Sequence, residues 1–328
     1  MRQFMLHAVP YFPSIVCVIL WTSSLIERRK GIVNLTVLEQ LVQGLFVACV
    51  YVLVLLIWPW ALVGNRPRYA IYAGLVMIVA HTIVAATRAH RAHKVLPDRR
   101  ASWIVSGLLV VVILPCLFAI GHVLLAPFSK DHISIAFPLE GEWSVGHGGA
   151  SVLTNAHIPY ADQRYALDLV KVGPDGKCFS EDGRHLEMHY SWRQPVHAPL
   201  SGIVVEAVET YADNRHGSVS GGDSRGNHVL IRSAAGEIVL VAHLRHQGVL
   251  VQKGDSVQEG QLLADVGNSG NTSAPHLHIE ASRATEAGAV NVPIFFKNIG
   301  AGLRSQRRGS VLVGPKAQRQ TDTREMRQ

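Results

Sequence analysis

Four long apolar stretches in the first 127 residues constrain this chain most strongly, because each approaches or exceeds the ~20 residues needed to cross a ~30 Å hydrocarbon layer. They lie at about 8–26, 38–63, 69–88 and 102–127. His7, Pro10 and Pro13 interrupt the start of the first, and Glu27-Arg28-Arg29-Lys30 closes it. No small-residue cleavage site follows, so it reads as a retained span rather than a signal peptide. The remaining residues have ordinary globular composition, which predicts a membrane unit followed by a water-soluble one.

Lys and Arg set the expected orientation. The loop after the first span holds Arg28, Arg29 and Lys30, and the loop after the third holds Arg88, Arg91, Lys94, Arg99 and Arg100. The opposite side has Arg2, Arg66, Arg68 and Lys130 beside Asp131. The first and third loops are therefore expected in the cytoplasm. Four spans then place both termini outside it, facing the periplasm or the cell exterior, with the lipid bilayer as a partner. The net charge of +7 is divided between the cytoplasmic loops and an Arg-rich tail after residue 303, so no nucleic-acid partner is expected. Cys17, Cys49 and Cys116 fall in the spans, which leaves Cys178 alone in the soluble part, unable to staple it. His81 and His122 lie in or near apolar stretches, where the simplest reading is a neutral imidazole hydrogen-bonded inside the bundle.

The expected organisation is a membrane domain over 1–127, a linker over 128–145, a water-soluble domain over 146–300 and a basic disordered tail over 301–328. From Tyr165 onward, short apolar runs alternate with Gly, Asn, Asp and Pro, as in an all-β unit. Strands are predicted at Tyr165–Lys171, Gly202–Val208, Asn227–Arg232, Glu237–His243, Leu262–Val266 and His276–Ala281. Residues 183–200, with His185, His189 and His197, lack strand alternation and read as an inserted loop.

Three patterns carry possible chemistry. In Pro275-His276-Leu277-His278-Ile279-Glu280 the two histidines share a strand face, while Leu277 and Ile279 point to the opposite layer. Such a pair is either a surface feature or one metal ligand beside one proton carrier. His243 ends an apolar strand and is either a hydrogen-bonded structural residue or a catalyst. Asp168 interrupts the apolar run Tyr165-Ala166-Leu167-Asp168-Leu169-Val170. A buried carboxylate is costly unless a cation, a metal or hydrogen bonds compensate it. Together, His and Asp suit catalytic Zn²⁺, which takes three protein ligands and leaves a position for water. Zinc lowers the pKa of that water to about 7 and polarises a carbonyl, leaving the other histidines for proton transfer and oxyanion stabilisation.

Several ordered stretches resemble the lysostaphin-like (LytM-type) zinc peptidases: Pro195-Val196-His197-Ala198-Pro199-Leu200-Ser201-Gly202, Gly226-Asn227-His228-Val229, Ala242-His243-Leu244, Val251-Gln252-Lys253-Gly254-Asp255-Ser256-Val257, Glu259-Gly260-Gln261, Val266-Gly267-Asn268-Ser269-Gly270 and Pro275-His276-Leu277-His278. With the Asp168 strand, the resemblance covers most of 157–281. It implies an antiparallel all-β catalytic domain with a duplicated hybrid motif, here following four transmembrane helices. It also implies hydrolysis of peptide bonds in bacterial cell-wall peptidoglycan, so wall peptides are the expected substrate.

By the same resemblance Asp168 and His278 are zinc ligands, His276 is the general base and His243 orients or stabilises the oxyanion. The family places a further ligand in an HxxxD pattern, but Arg164 stands four residues before Asp168. A guanidinium cannot coordinate zinc. His157, in the preceding loop, is expected to replace it, ahead of His147 or of no third ligand. The alternatives are a non-catalytic domain of the same fold, which binds cell wall or activates another hydrolase, and a lipoyl- or biotinyl-carrier-like barrel. Lys253 lacks the hairpin-tip context that the carrier requires.

Overall fold

The computed structural model describes residues 36–93, 100–126, 131–219, 222–285, 288–299 and 306–315. It divides into two compact units, Met1–Ala126 and Pro127–Gln328.

In the first unit, helix α1 spans Val37–Ile57, α2 Trp60–Val63, α3 Asn65–Arg91 and α4 Arg100–Leu125. Thr36 caps α1 through a reciprocal box with Glu39: the Glu39 N–H donates to Thr36 Oγ1, and the Thr36 N–H donates to Glu39 Oε2 at 2.9 Å. Arg88, His90 and Arg91 in the last turn of α3 complement its negative dipole end. Helix α1 packs against both α3 and α4. A Cβ on Gly44 would lie 2.2 Å from Thr82 Oγ1, so that glycine permits the close approach of α1 and α3.

Among the described residues, Val37–Ile57 and Asn65–Arg91 are long and apolar enough to cross a membrane, by length and composition alone. The span expected over 8–26 lies outside the described residues. The fourth coincides with α4, whose apolar part among the described residues is Val110–Leu125. Of the four spans expected along the chain, two are thus candidates among the described residues.

The second unit is a mostly antiparallel β-domain. Its strands are β1 Ile133–Ile135, β2 Glu142–His147, β3 Leu167–Lys171, β4 Pro195–His197, β5 Gly202–Val208, β6 Asn227–Arg232, β7 Glu237–Val249, β8 Ser256–Val257, β9 Leu262–Val266, β10 Leu277–Thr285, β11 Gly288–Val292, β12 Ile294–Phe296 and β13 Val311–Val313. The main sheet runs β13-β2-β3-β10-β7-β6-β5-β8; β9 joins β4 to β7, and β11 pairs with β10. Strands β1 and β12 form a separate parallel pair. One sheet face carries the core, where Trp143, Leu169, Ile231, Val241, Leu277 and Ile279 are essentially inaccessible.

Two expected boundaries differ from the structure. Part of the stretch read as a linker, 128–145, is built into the domain: Ile133 and Ile135 are fully buried, and Trp143 on β2 lies at the centre of the core. Part of the stretch read as a disordered tail is also ordered, since Val311–Val313 pairs with β2 and Leu312 joins the core. Residues 316–328 lie outside the described residues. The inserted loop contains a 3-10 turn, Leu186–Met188, and ends in β4, which pairs with β9.

Candidate metal centre and active site

Sheet register assembles the site. Asp168 on β3 lies opposite His278 on β10 and, across the other edge, opposite His147 on β2. His278 in turn pairs with Ala242 on β7, the residue before His243. On β10, Leu277, Ile279 and Ala281 enter the core, so His278 and Glu280 occupy the opposite face, as alternation requires.

His157 reaches this face from the loop between β2 and β3. Its Nε2 lies 3.1 Å from Asp168 Oδ2, while His278 Nδ1 lies 2.9 Å from Asp168 Oδ1. The three residues offer ligand atoms all within 4.8 Å of one another, the one such group among the described residues. Two imidazoles and a carboxylate form a donor set suited to zinc.

Asn155 braces the His157 loop. This side chain is 1% exposed; its Nδ2 faces the carbonyls of Gly149, Arg164 and Ala166 at 3.0, 3.2 and 3.3 Å, and its Oδ1 accepts the His157 N–H at 3.0 Å. Arg164 itself is exposed, and its backbone carbonyl is part of this brace.

His147 stands beside His157, with ring centroids 5.9 Å apart, but its ring is otherwise engaged. Its Nδ1 accepts the Ala156 N–H at 3.3 Å, and Arg308 Nη2 lies 3.2 and 3.1 Å from its two nitrogens. Burial depresses its pKa to about 4. A guanidinium against the ring opposes a second cation there, which separates His147 from the donor set.

His243 and His276 form the other half of the site, with ring centroids 4.7 Å apart. His243 adopts φ 62°, a left-handed conformation rare for a non-glycine residue and costing on the order of 1 kcal/mol or more. Its N–H donates to the Arg225 carbonyl at 3.1 Å, its C=O accepts from Gly267 N–H at 3.0 Å, and its Nδ1 lies 2.8 Å from Ser269 O. The Ser269 backbone reaches that position because Gly226, at φ 60°, has no side chain: a Cβ would fall 2.3 Å from the Ser269 carbonyl carbon.

His276 Nδ1 is 2.9 Å from Ala274 O and 3.1 Å from Thr272 Oγ1, and its Nε2 lies 3.6 Å from Asp168 Oδ1. A carbonyl accepts only from an N–H, so both rings carry their proton on Nδ1 and present a lone pair at Nε2.

The electrostatics follow from burial among these partners. Desolvation alone would raise the Asp168 carboxyl, but His276, His157 and His278 outweigh it and hold the pKa well below the carboxylate range. Desolvation likewise disfavours a charged His278, yet Asp168 and Glu280 raise its pKa to about 9. His243 is held well below 6.5, by burial first and then by His276 and His278.

The structure therefore brings together all five residues singled out from sequence: His157, Asp168, His243, His276 and His278. It keeps His185, His189 and His197 out of this cluster: His189 bonds to the Gly183 carbonyl, and His197 pairs with Glu140. Asn155, Ser269 and Thr272 support the site but were not marked by sequence, since each acts through a backbone partner that spacing does not reveal.

Histidines and a carboxylate gathered on one sheet face form a donor set that could hold a metal ion. Residues 182–291 match the family model Peptidase family M23, so the chain carries a domain of that family. That stretch includes His243, His276 and His278 but neither His157 nor Asp168.

Similar solved structures include the catalytic domain of the antimicrobial peptidase lysostaphin from Staphylococcus simulans (21% identity, 46% of this chain and 88% of that one, TM-score 0.29). A second is a variant catalytic domain of the prophage-encoded M23 protein EnpA from Enterococcus faecalis (21% identity, 39% and 73%, TM-score 0.26). A third is the solution structure of lysostaphin (22% identity, 38% and 40%, TM-score 0.25). The chain thus spans less than half the length of lysostaphin. No curated protein matches the chain.

Proposed function

We propose that the chain is a zinc metalloendopeptidase that hydrolyses peptide bonds in cell-wall peptidoglycan, anchored in the cell membrane by its first 127 residues as four spans, with the β-domain outside the cytoplasm. The observation that carries this reading is the convergence of His157, Asp168 and His278 on one point, with His243 and His276 beside it.

His157 Nε2, an Asp168 oxygen and His278 Nδ1 would hold the metal. When bound, zinc supplies a Lewis acid and lowers the pKa of a coordinated water. His276, its Nδ1–H fixed on the Ala274 carbonyl, takes the proton of the attacking water at Nε2 and later returns it to the leaving amine. His243, a neutral ring whose Nδ1–H is fixed on the Ser269 carbonyl, presents its Nε2 lone pair to the site and accepts from the attacking water, which orients it.

The alternative, a non-catalytic wall-binding domain, is motivated by Arg164 at the expected ligand position. It is weakened by His157, which reaches Asp168 from the loop instead, and by the retention of both proton-carrying histidines.

The test is hydrolysis of cross-linked wall peptides and of oligoglycine by the full chain in detergent, with zinc and with chelator. Zinc-dependent cleavage, lost in His276→Ala, is expected. Intact substrates with stoichiometric zinc bound would refute the peptidase reading.

A further inference from the structure

The C-terminal segment approaches the metal centre from outside the stretch, 182–291, that matches the family model. Leu312 on β13 is buried in the core. Just before it, Gly309 N–H donates to the Val145 carbonyl at 2.8 Å, and Val145 N–H donates to the Ser310 carbonyl at 2.9 Å. A Cβ on Gly148 would fall 2.5 Å from the Gln306 carbonyl oxygen, so this segment is closely applied to the end of β2. The anchorage delivers Arg308 to the point where β2 shifts its register with β3, between Val145 and His147. Such a bulge re-aims the side chains around it.

Arg308 holds two residues of that bulge at once. Its Nε donates to the Gly146 carbonyl at 2.8 Å, and its Nη2 lies 3.2 and 3.1 Å from His147 Nδ1 and Nε2. In the ring plane, an atom that close to both nitrogens would run into the carbon between them. The guanidinium therefore lies over the ring face, where a planar cation stacks well. Nδ1 keeps its in-plane lone pair for the Ala156 N–H, which donates to it at 3.3 Å. Ala156 precedes His157, whose Nε2 lies 3.1 Å from Asp168 Oδ2. A continuous series of contacts thus runs from the core residue Leu312 through Arg308, His147 and Ala156 to a candidate metal ligand.

We propose that Arg308 is a positioning residue for the metal centre: it holds the His147 ring at the angle at which Nδ1 accepts the Ala156 N–H, and so sets the loop that presents His157. The inference rests on the metal-binding part of the peptidase reading. The sign of the effect separates positioning from charge. A cation beside the site repels a second cation, so if charge were its whole effect, removing it would tighten zinc binding. Loss of a positioning contact weakens zinc binding instead. Lysine keeps the charge but lacks the planar fork that bonds Gly146 while covering the ring.

The test is chelator competition for zinc by the full chain in detergent, for wild type, Arg308→Met, Arg308→Lys and His147→Ala, with hydrogen exchange on the metal-free proteins. Arg308→Met and Arg308→Lys should each weaken zinc binding about tenfold. Amides of 154–158 should exchange faster in both, while those of β10 stay protected. His147→Ala leaves β13 and its core residue in place and should have the same effects, so the test stands even if Arg308→Met fails to fold. Combining it with Arg308→Met should weaken zinc binding no further, because both act through one contact. Unchanged or tighter zinc binding in Arg308→Met, wild-type binding in Arg308→Lys, additive losses in the double variant, or faster exchange spread evenly over the β-domain overturns the positioning role and leaves the metal reading standing. No zinc in the wild type overturns the metal reading, and this inference with it.

Discussion

Replacing Asn155 with alanine tests the idea that a buried amide, rather than the HxxxD spacing, delivers His157. The Nδ2 group has two protons to share among three carbonyls, and Oδ1 accepts one more hydrogen bond, from His157 N–H. Three full hydrogen bonds are therefore at stake, worth about 1 kcal/mol each and about 3 kcal/mol together. A water entering the gap would return part of this, which sets a floor of about 1 kcal/mol. Because the loop carries one of the three donors, zinc affinity should also fall, by about 10- to 100-fold. The assay is denaturant unfolding of the β-domain, followed through buried Trp143, together with a chelator-competition titration of zinc. A lower midpoint at unchanged m-value, with weakened zinc binding, is expected. Wild-type midpoint and wild-type affinity would refute the reasoning.

Gly226→Ala should cost about 3 kcal/mol, since φ 60° and a clash with Ser269 act together. Gly236→Ala, at φ 83° with nothing within 4 Å, should cost about 1 kcal/mol; equal losses in thermal unfolding would contradict the packing account. Burial depresses the His189 pKa to about 4, with the Gly183 carbonyl opposing and His216 adding to the shift. The unfolded state therefore binds more protons between about pH 6.5 and 4, so stability falls by up to about 3 kcal/mol as pH drops through that window. His189→Gln should flatten this decline in unfolding measured against pH. His278, raised to about 9, is protonated at neutral pH in the metal-free protein. Zinc at Nδ1 must displace that proton, so calorimetric titrations near pH 7.5 should show proton release that depends on buffer ionisation enthalpy; no buffer dependence would contradict the assignment.

Much of the sheet was legible because period-two alternation bounded by turn residues is a local signal: Gly202–Val208, Asn227–Arg232 and Leu262–Val266 form as read. The outer strands were not. Ile133–Ile135 is three residues long, and its partner, Ile294–Phe296, lies far along the chain, so no local turn marks the pair. Val311–Val313 is hidden in an Arg-rich context and becomes a strand only against β2. The shared face of His276 and His278 followed directly from alternation, and both rings lie beside His243. The position of His157 depended on Asn155, whose hydrogen bonds close a loop that no periodicity describes. For the helices, apolar length was evident, whereas the number that span a membrane is not fixed by length alone.

The most direct test of the central claim is metal content per chain by elemental analysis of zinc-replete full-length protein, with wild type beside His157→Ala and Arg164→Ala. One zinc in wild type and Arg164→Ala, lost in His157→Ala, is the expected result. Zinc retained in His157→Ala, or no zinc in the wild type, would contradict the site assembled around Asp168.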